Sequence, residues 1–208
     1  MSDTKERILF TALRLFAQDG YEAVSVSAIA GELGMTKGVL YKHYKNKRDI
    51  FDSVFEKMCL EDVELAKKHG VPEEEFEDNP LAFKNTSMEN LRDFIEATFR
   101  IWIENEFARN FRKMLTLEQY RNAEMSDFYL KCILPVSYIE DLFCEMIEQG
   151  VLKKSNPKLL ALEFFAPYHF LISMAFVDSS FDIEVAANLL TAHFDRFIET
   201  NQTDEDKR

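Results

Sequence analysis

Glycine and proline are scarce in this chain, six and five among 208 residues. Alternating Val/Ile/Thr runs bounded by turn residues do not occur, which excludes an all-β architecture. The three cysteines (Cys59, Cys132, Cys144) are scattered and odd in number and form no CxxC pair, which excludes a disulfide framework and a thiolate metal site. On one helix Cys132 and Cys144 stand ~18 Å apart at about 1.5 Å per residue, so all three read as reduced packing residues. Four histidines (His43, His69, His169, His193) lack ligand spacing, and neither a GxSxG elbow nor a glycine-rich phosphate loop is present. No enzyme, no metal and no cofactor is therefore expected. No unbroken apolar run approaches the roughly 18 residues that span a bilayer. The opening Met-Ser-Asp-Thr-Lys-Glu-Arg lacks the apolar core of a signal peptide, so the expected location is cytoplasmic. Positive charge is also in short supply: 25 Lys and Arg face 37 Asp and Glu, a formal net charge of -12.

That shortage makes one segment conspicuous. Between Thr36 and Arg48 five cations (Lys37, Lys42, Lys45, Lys47, Arg48) occur without a carboxylate. Residues 1–57 carry nine cations and eight acids, whereas the rest of the chain is strongly acidic. Only the N-terminal module is suited to a polyanion, because the remaining surface would repel a duplex.

Leu, Ala, Glu, Lys, Met and Phe dominate, and hydrophobic residues make up 47% of the chain, which predicts an all-α fold with a sizeable core. Apolar spacing predicts helices over residues 4–19, 26–33, 37–44 and 47–68. Gly20 and Gly34 are the stops, Ser25 and Thr36 the N-caps, and Asn46 with Asp49 an approximate capping box. A loop with two prolines and an acidic cluster follows over 69–87 and reads as a hinge. Helices resume over 88–106, 108–120, 125–149, 157–177 and 183–200. Ser87, Ser126 and Asn156 are candidate caps, Gly150 is a stop, and kinks are expected at Pro135 and Pro167. Residues 201–208 read as a polar, frayed end.

Two short helices joined at Gly34, the second rich in phosphate-binding groups, are the pattern of a helix-turn-helix. The Thr36 cap directs backbone amides outward, and Gly38 lets the second helix approach the bases closely. Tyr41 and His43 present hydrogen-bonding tips, and Lys47 adds charge at the next helix's start. The residues Ala12–Phe16 with Gly20-Tyr21, Val26-Ser-Ala-Ile-Ala30, Gly34-Met-Thr-Lys-Gly38 and Leu40-Tyr-Lys-His-Tyr-Lys-Asn-Lys47 resemble the DNA-binding domain of the TetR family of transcriptional regulators. The resemblance spans about Arg7 to Phe55. It implies a three-helix DNA-binding domain over 1–47 and a helical regulatory domain over 48–208 that binds an effector and dimerises. It further implies base contacts from Lys37, Gly38 and Val39, a groove-edge contact from Lys42, and phosphate contacts from Ser25, Ser27, Thr36, Tyr41, His43 and Lys47. Val39 departs from the family's usual Thr, Ser, Asn or Ala, turning that contact toward a thymine methyl. Lys42 departs from a usual aromatic or histidine, exchanging stacking for charge. Tyr44 is expected in the core.

Fourteen of nineteen phenylalanines lie beyond residue 80. The plain reading of each is core packing. The resemblance implies in addition an effector pocket among the central helices, with Phe99, Trp102, Phe128, Tyr129, Phe165, Tyr168 and His169 as candidate walls for a small apolar or aromatic effector. Glu96, Glu104 and Glu163 would favour a cationic one. The last two helices carry more apolar surface than one side of the body buries, which together with the resemblance implies a homodimer. The expected function is a ligand-responsive repressor that leaves a palindromic operator on binding its effector. The alternatives are an activator of the same family and a helical protein-interaction module that binds no DNA.

Overall fold

The computed structural model describes residues 3–74, 76, 78–121 and 123–203. Eleven helices follow one another among these residues: α1 (Asp3–Asp19), α2 (Val26–Glu32), α3 (Lys37–Leu40), α4 (Lys47–His69), α5 (Pro80–Lys84), α6 (Met88–Glu104), α7 (Glu106–Glu118), α8 (Ala123–Ile133), α9 (Val136–Glu148), α10 (Pro157–Val177) and α11 (Ile183–Asn201). The pairing outside helices is the isolated antiparallel bridge Leu152–Gln202.

The helices form two compact units, Met1–Glu61 with Glu104–Ile133, and Asp62–Ile103 with Leu134–Arg208. This division differs from the expected one at residue 47/48. The stretch 104–133 joins the first unit because α7 packs on α1 and α8 packs on α7. Phe10 meets Phe107 at 4.8 Å between ring centroids, and a run of rings links Phe16, Tyr21, Phe51, Phe55 and Phe128, closing to 4.1 Å at Phe55–Phe128. Ile8, Leu9, Ala12, Leu13 and Phe16 fall on one side of α1 and are buried, which gives that helix its tertiary anchor.

In the second unit α10 packs on α9 and α11, and α5 on α9. Phe143, Phe164, Phe194 and Phe197 form its centre, with Phe164–Phe194 stacked at 4.5 Å and Phe143–Phe164 edge-on at 5.5 Å. Such pairs add to the area the rings bury.

Local signals set most helix ends. Ser25, Ser87 and Asn156 accept from the amides of Ala28, Asn90 and Leu159. Asn46 accepts from Asp49 N at 2.9 Å while Asp49 accepts from Lys45 N at 2.8 Å. Ser126 is not a cap: its hydroxyl donates to Gln119 O and closes the turn between α7 and α8. The single helix expected over 125–149 is two, because Pro135 has no N–H and pushes Leu134 out of helical backbone; Val136 N then bonds Leu134 O at 2.7 Å. Pro167 lies inside α10 without ending it. Within the expected loop lies α5, capped by Asn79 and opened by Pro80. Residues 201–203 are tied down rather than frayed, through Lys153 N to Asn201 O and Thr203 N to Val151 O; 204–208 lie outside the described residues.

By length and composition α10 is apolar enough to cross a membrane, with a mean hydropathy of 1.6 over 18 residues. Counting unbroken runs misses this, because Lys158, Glu163 and His169 interrupt a segment whose average stays high. A third of that window is buried. Leu159, Leu162, Phe170 and Val177 on α10, and Val185 and Leu189 on α11, are exposed.

Candidate nucleic-acid interface

The turn between α2 and α3 is fixed by backbone chemistry. Met35 N donates to Ala30 O at 2.9 Å and Gly34 N to Gly31 O at 3.0 Å, the paired bonds that close a helix through a left-handed residue. Gly34 supplies that residue with φ +64°, a conformation costly for any side chain. Thr36 opens α3 with extended backbone, and its carbonyl accepts from Val39 N and Leu40 N; its hydroxyl makes no capping bond.

Only four residues of α3 are α-helical, against eight expected. The chain then tightens into turns, with Lys42 N on Val39 O and His43 N on Leu40 O. Leu40 and Tyr44 point inward and are buried. The Tyr44 hydroxyl donates to Lys5 O at 3.2 Å, and burial pushes its phenol up to about 12. These anchors leave Lys37, Gly38, Tyr41 and Lys42 exposed, with Val39 and His43 half-buried. Ser25, Ser27 and Thr36 are exposed as well. Since the Ser25 oxygen accepts Ala28 N, its proton remains available to an outside acceptor.

Gly38 has an ordinary negative φ, and a Cβ there would meet only Thr36 Oγ1 at 3.8 Å. Nothing inside the chain requires glycine at this position.

The five cations divide into two groups. Lys37, Lys42 and Lys45 are exposed and form no ion pair among the described residues. Lys47 and Arg48 are engaged within the protein. Lys47 Nζ donates to Tyr21 O at 2.8 Å and Glu22 O at 3.3 Å, and sits 4.3 Å from the Tyr21 ring centroid. The ammonium expected to clamp phosphate therefore turns inward and braces the α1–α2 loop. Arg48 binds Glu124 through two bonds of 2.7 and 2.9 Å, and Asp52 at 2.6 Å. Hydrogen bonding from Arg48 holds the Glu124 carboxyl below its ordinary value.

Sequence reasoning missed Glu118. Buried at the end of α7, it accepts Tyr21 N at 3.0 Å, 97 positions away in sequence. Gly20, at φ +87°, permits that approach: a Cβ there would lie 2.9 Å from Glu118 Oε1. The Arg48–Asp52 half of the clamp had a signal, the i,i+4 spacing. The contacts of Glu118 and Glu124 had none.

The effector-wall candidates fall in both units. Phe128 and Tyr129 belong to the first, where the Phe128 ring lies tilted against Phe55. Phe99, Trp102, Phe165, Tyr168 and His169 belong to the second, where Phe165–Tyr168 and Phe99–Tyr168 centroids are 4.9 and 6.1 Å apart. Phe99, Trp102, Phe165 and Tyr168 are buried, and His169 is half-buried. Glu96 is taken up by Thr191, whose hydroxyl donates to it.

A two-helix turn with an exposed basic second helix, set in an all-helical chain, defines a helix-turn-helix DNA-binding regulator. The profile described as "Bacterial regulatory proteins, tetR family" matches residues 8–54. The uncharacterized HTH-type transcriptional regulator YerO of Bacillus subtilis is 32% identical over 136 residues, which is 59% of this chain but only 46% of YerO. The uncharacterized regulator YhgD of the same organism is 28% identical across 82% of this chain and 83% of its own length. SmeT, the repressor of the Stenotrophomonas maltophilia multidrug efflux pump SmeDEF, shares the fold. In its triclosan complex it has a TM-score of 0.68 at 19% identity, over 97% of this chain and 92% of SmeT. The chain resembles the TetR family of bacterial transcriptional regulators, by sequence in its helix-turn-helix segment and by fold over nearly its whole length.

Proposed function

We propose that this regulator is a cytoplasmic homodimeric repressor released from a palindromic operator by a small, largely apolar effector. The observation that carries the reading is the exposed edge of α3. There Lys37 and Gly38 of α3, with Tyr41 and Lys42 in the turns after it, are exposed, and the side chains of Lys37, Tyr41 and Lys42 form no hydrogen bond or ion pair among the described residues, while Leu40 and Tyr44 anchor the opposite side. Gly38 supports close approach to bases, since the chain's own packing does not demand a glycine there. In this reading Lys37, Gly38 and Val39 face base edges, Lys42 sits at the groove edge, and Ser25, Ser27, Thr36, Tyr41 and His43 face phosphates.

The exposed apolar residues of α10 and α11 support a symmetric four-helix interface. Two heads then read half-sites about 34–36 Å apart, one turn of B-DNA. The aromatic-rich second unit suits an apolar effector, and SmeT, solved with triclosan and described as a repressor, supports both the effector and the sign of regulation. An effector that binds one head spacing better than another suffices to couple the sites.

Selection of full-length protein on a random duplex library, followed by anisotropy titrations across salt, tests the reading. A two-fold symmetric site with affinity falling steeply in salt is expected, and the absence of salt-sensitive duplex binding overturns it. Lys47→Ala separates brace from clamp. A lowered melting temperature with an unchanged salt slope is expected, whereas a slope reduced by about one assigns Lys47 to a phosphate.

A further inference from the structure

The buried stripe of α1, Ile8, Leu9, Ala12, Leu13 and Phe16, projects back toward the start of the helix at about 100° per residue. The position it reaches, three residues before Ile8 and four before Leu9, is Lys5. The other charges of this opening stretch fall elsewhere: Arg7 on the opposite side, Asp3 and Glu6 a quarter turn or more away. Exposure follows the same sorting, with Asp3, Glu6 and Arg7 exposed and Lys5 half-buried.

A lysine where the spacing asks for an apolar side chain lays its stem on the core and carries its ammonium to the rim. Here the rim borders the turns that follow α3. Lys5 Nζ stands 5.2 Å from the centroid of the Tyr44 ring, and the Lys5 carbonyl accepts the Tyr44 hydroxyl at 3.2 Å. Tyr44 lies in the chain between Lys42 and Lys45, both exposed. A cation 39 positions distant in sequence is thus brought beside the basic segment. The stability of α1 does not ask for it, because a cation in the first turn opposes the helix dipole. An uncharged side chain of the same length would cover the Tyr44 ring as well. What lysine adds at this place is charge.

We propose that Lys5 is a further phosphate contact of the DNA-reading head. Its ammonium, held over Tyr44, extends the basic track of Lys42 and Lys45 onto the start of α1 and grips the duplex backbone without reading sequence. This rests on the duplex-binding reading above and adds to it a residue that precedes the matched segment 8–54.

Anisotropy titrations across salt, on the selected operator and on a scrambled duplex, test the contact in the full-length protein. Lys5→Met keeps a stem over Tyr44 and removes the charge. It should leave the melting temperature unchanged, weaken both duplexes by the same several-fold factor, and reduce the salt slope by about one per protomer. Lys5→Arg should keep the wild-type slope, and so should Arg7→Met, whose change lies on the opposite side of α1. The slope does not depend on the fraction of active protein, so it reports the contact even in a less stable variant. A slope unchanged in Lys5→Met overturns the proposal. So does an equal reduction in Arg7→Met, which marks diffuse charge alone, and so does a loss confined to the operator, which marks base reading. Absence of salt-sensitive duplex binding in the wild type overturns instead the reading on which the proposal rests.

Discussion

In the first unit, charged side chains reach across the sequence to hold backbone in place. Lys47 holds two carbonyls of the α1–α2 loop, Glu118 holds the amide of Tyr21, and Arg48 joins Asp52 and Glu124. In the second unit, the centre is four stacked and edge-on phenyl rings from α9, α10 and α11. Hydrogen bonds are directional and fix orientation to within tenths of an ångström, whereas ring packing is strong but tolerates repacking at similar volume. Under the proposed function, a head that reads base edges needs the former, and a body that accepts an effector and responds to it works with the latter.

Breaking the ring side should cost most. Phe164→Ala removes the ring shared by Phe143, Phe194 and Phe197 and should lower stability by ~3–5 kcal/mol. Chemical denaturation with hydrogen exchange should locate the loss in α9–α11. Next in size is Lys37→Ala, which should reduce discrimination between operator and scrambled duplex by ~1–3 kcal/mol, read by anisotropy at fixed salt, with little change in melting.

Tyr44→Phe deletes the bond to Lys5 O and should cost ~1 kcal/mol. It also tests a pH dependence. The phenol ionises near 10 when unfolded but is pushed to about 12 in the fold, so the folded state holds the proton longer. Its contribution is full below about 10 and is lost as pH rises toward about 12. Alkaline melts of the variant should lack that component.

The smallest effect belongs to the exposed clamp, where Glu124→Gln should cost a few tenths of a kcal/mol. The Glu124 carboxyl lies below its ordinary value. Its contribution is therefore present above that ordinary value and lost as pH falls through the lowered one. Wild-type melting should show this acid-side decline, and the variant should not.

The same contrast marks what the sequence discloses. Ser25, the Asn46–Asp49 pair and Asn156-Pro157 are local devices, complete within four residues, and each opens a helix where its spacing says. Asn79-Pro80 is a device of the same kind at α5, obscured by the acidic loop around it. Scarce positive charge made the basic segment legible and led to the exposed lysines Lys37, Lys42 and Lys45 in and just after α3. It did not tell which way each ammonium turns. Lys47 faces carbonyls because the α1–α2 loop passes beside it, and that path depends on Glu118, which no local spacing connects to Tyr21. The third helix reads too long because Tyr44 keeps helical spacing while the backbone tightens into turns before it.

The first unit's two segments, separated by more than forty residues of the other unit, bear on how such a regulator is inherited and engineered. The recognisable motif is contiguous, and a cut after residue 61 would seem to release it whole. That fragment would lack Glu118, Glu124, Phe107 and Phe128, leaving the Tyr21 amide, Arg48, Phe10 and Phe55 without their counterparts. Specificity grafted between relatives by exchanging the N-terminal piece alone should yield chimeras whose heads are loose. Exchanging residues 1–61 together with 104–133 transfers a finished object. Here the gene's order and the molecule's parts do not coincide, and recombination at a single point is penalised.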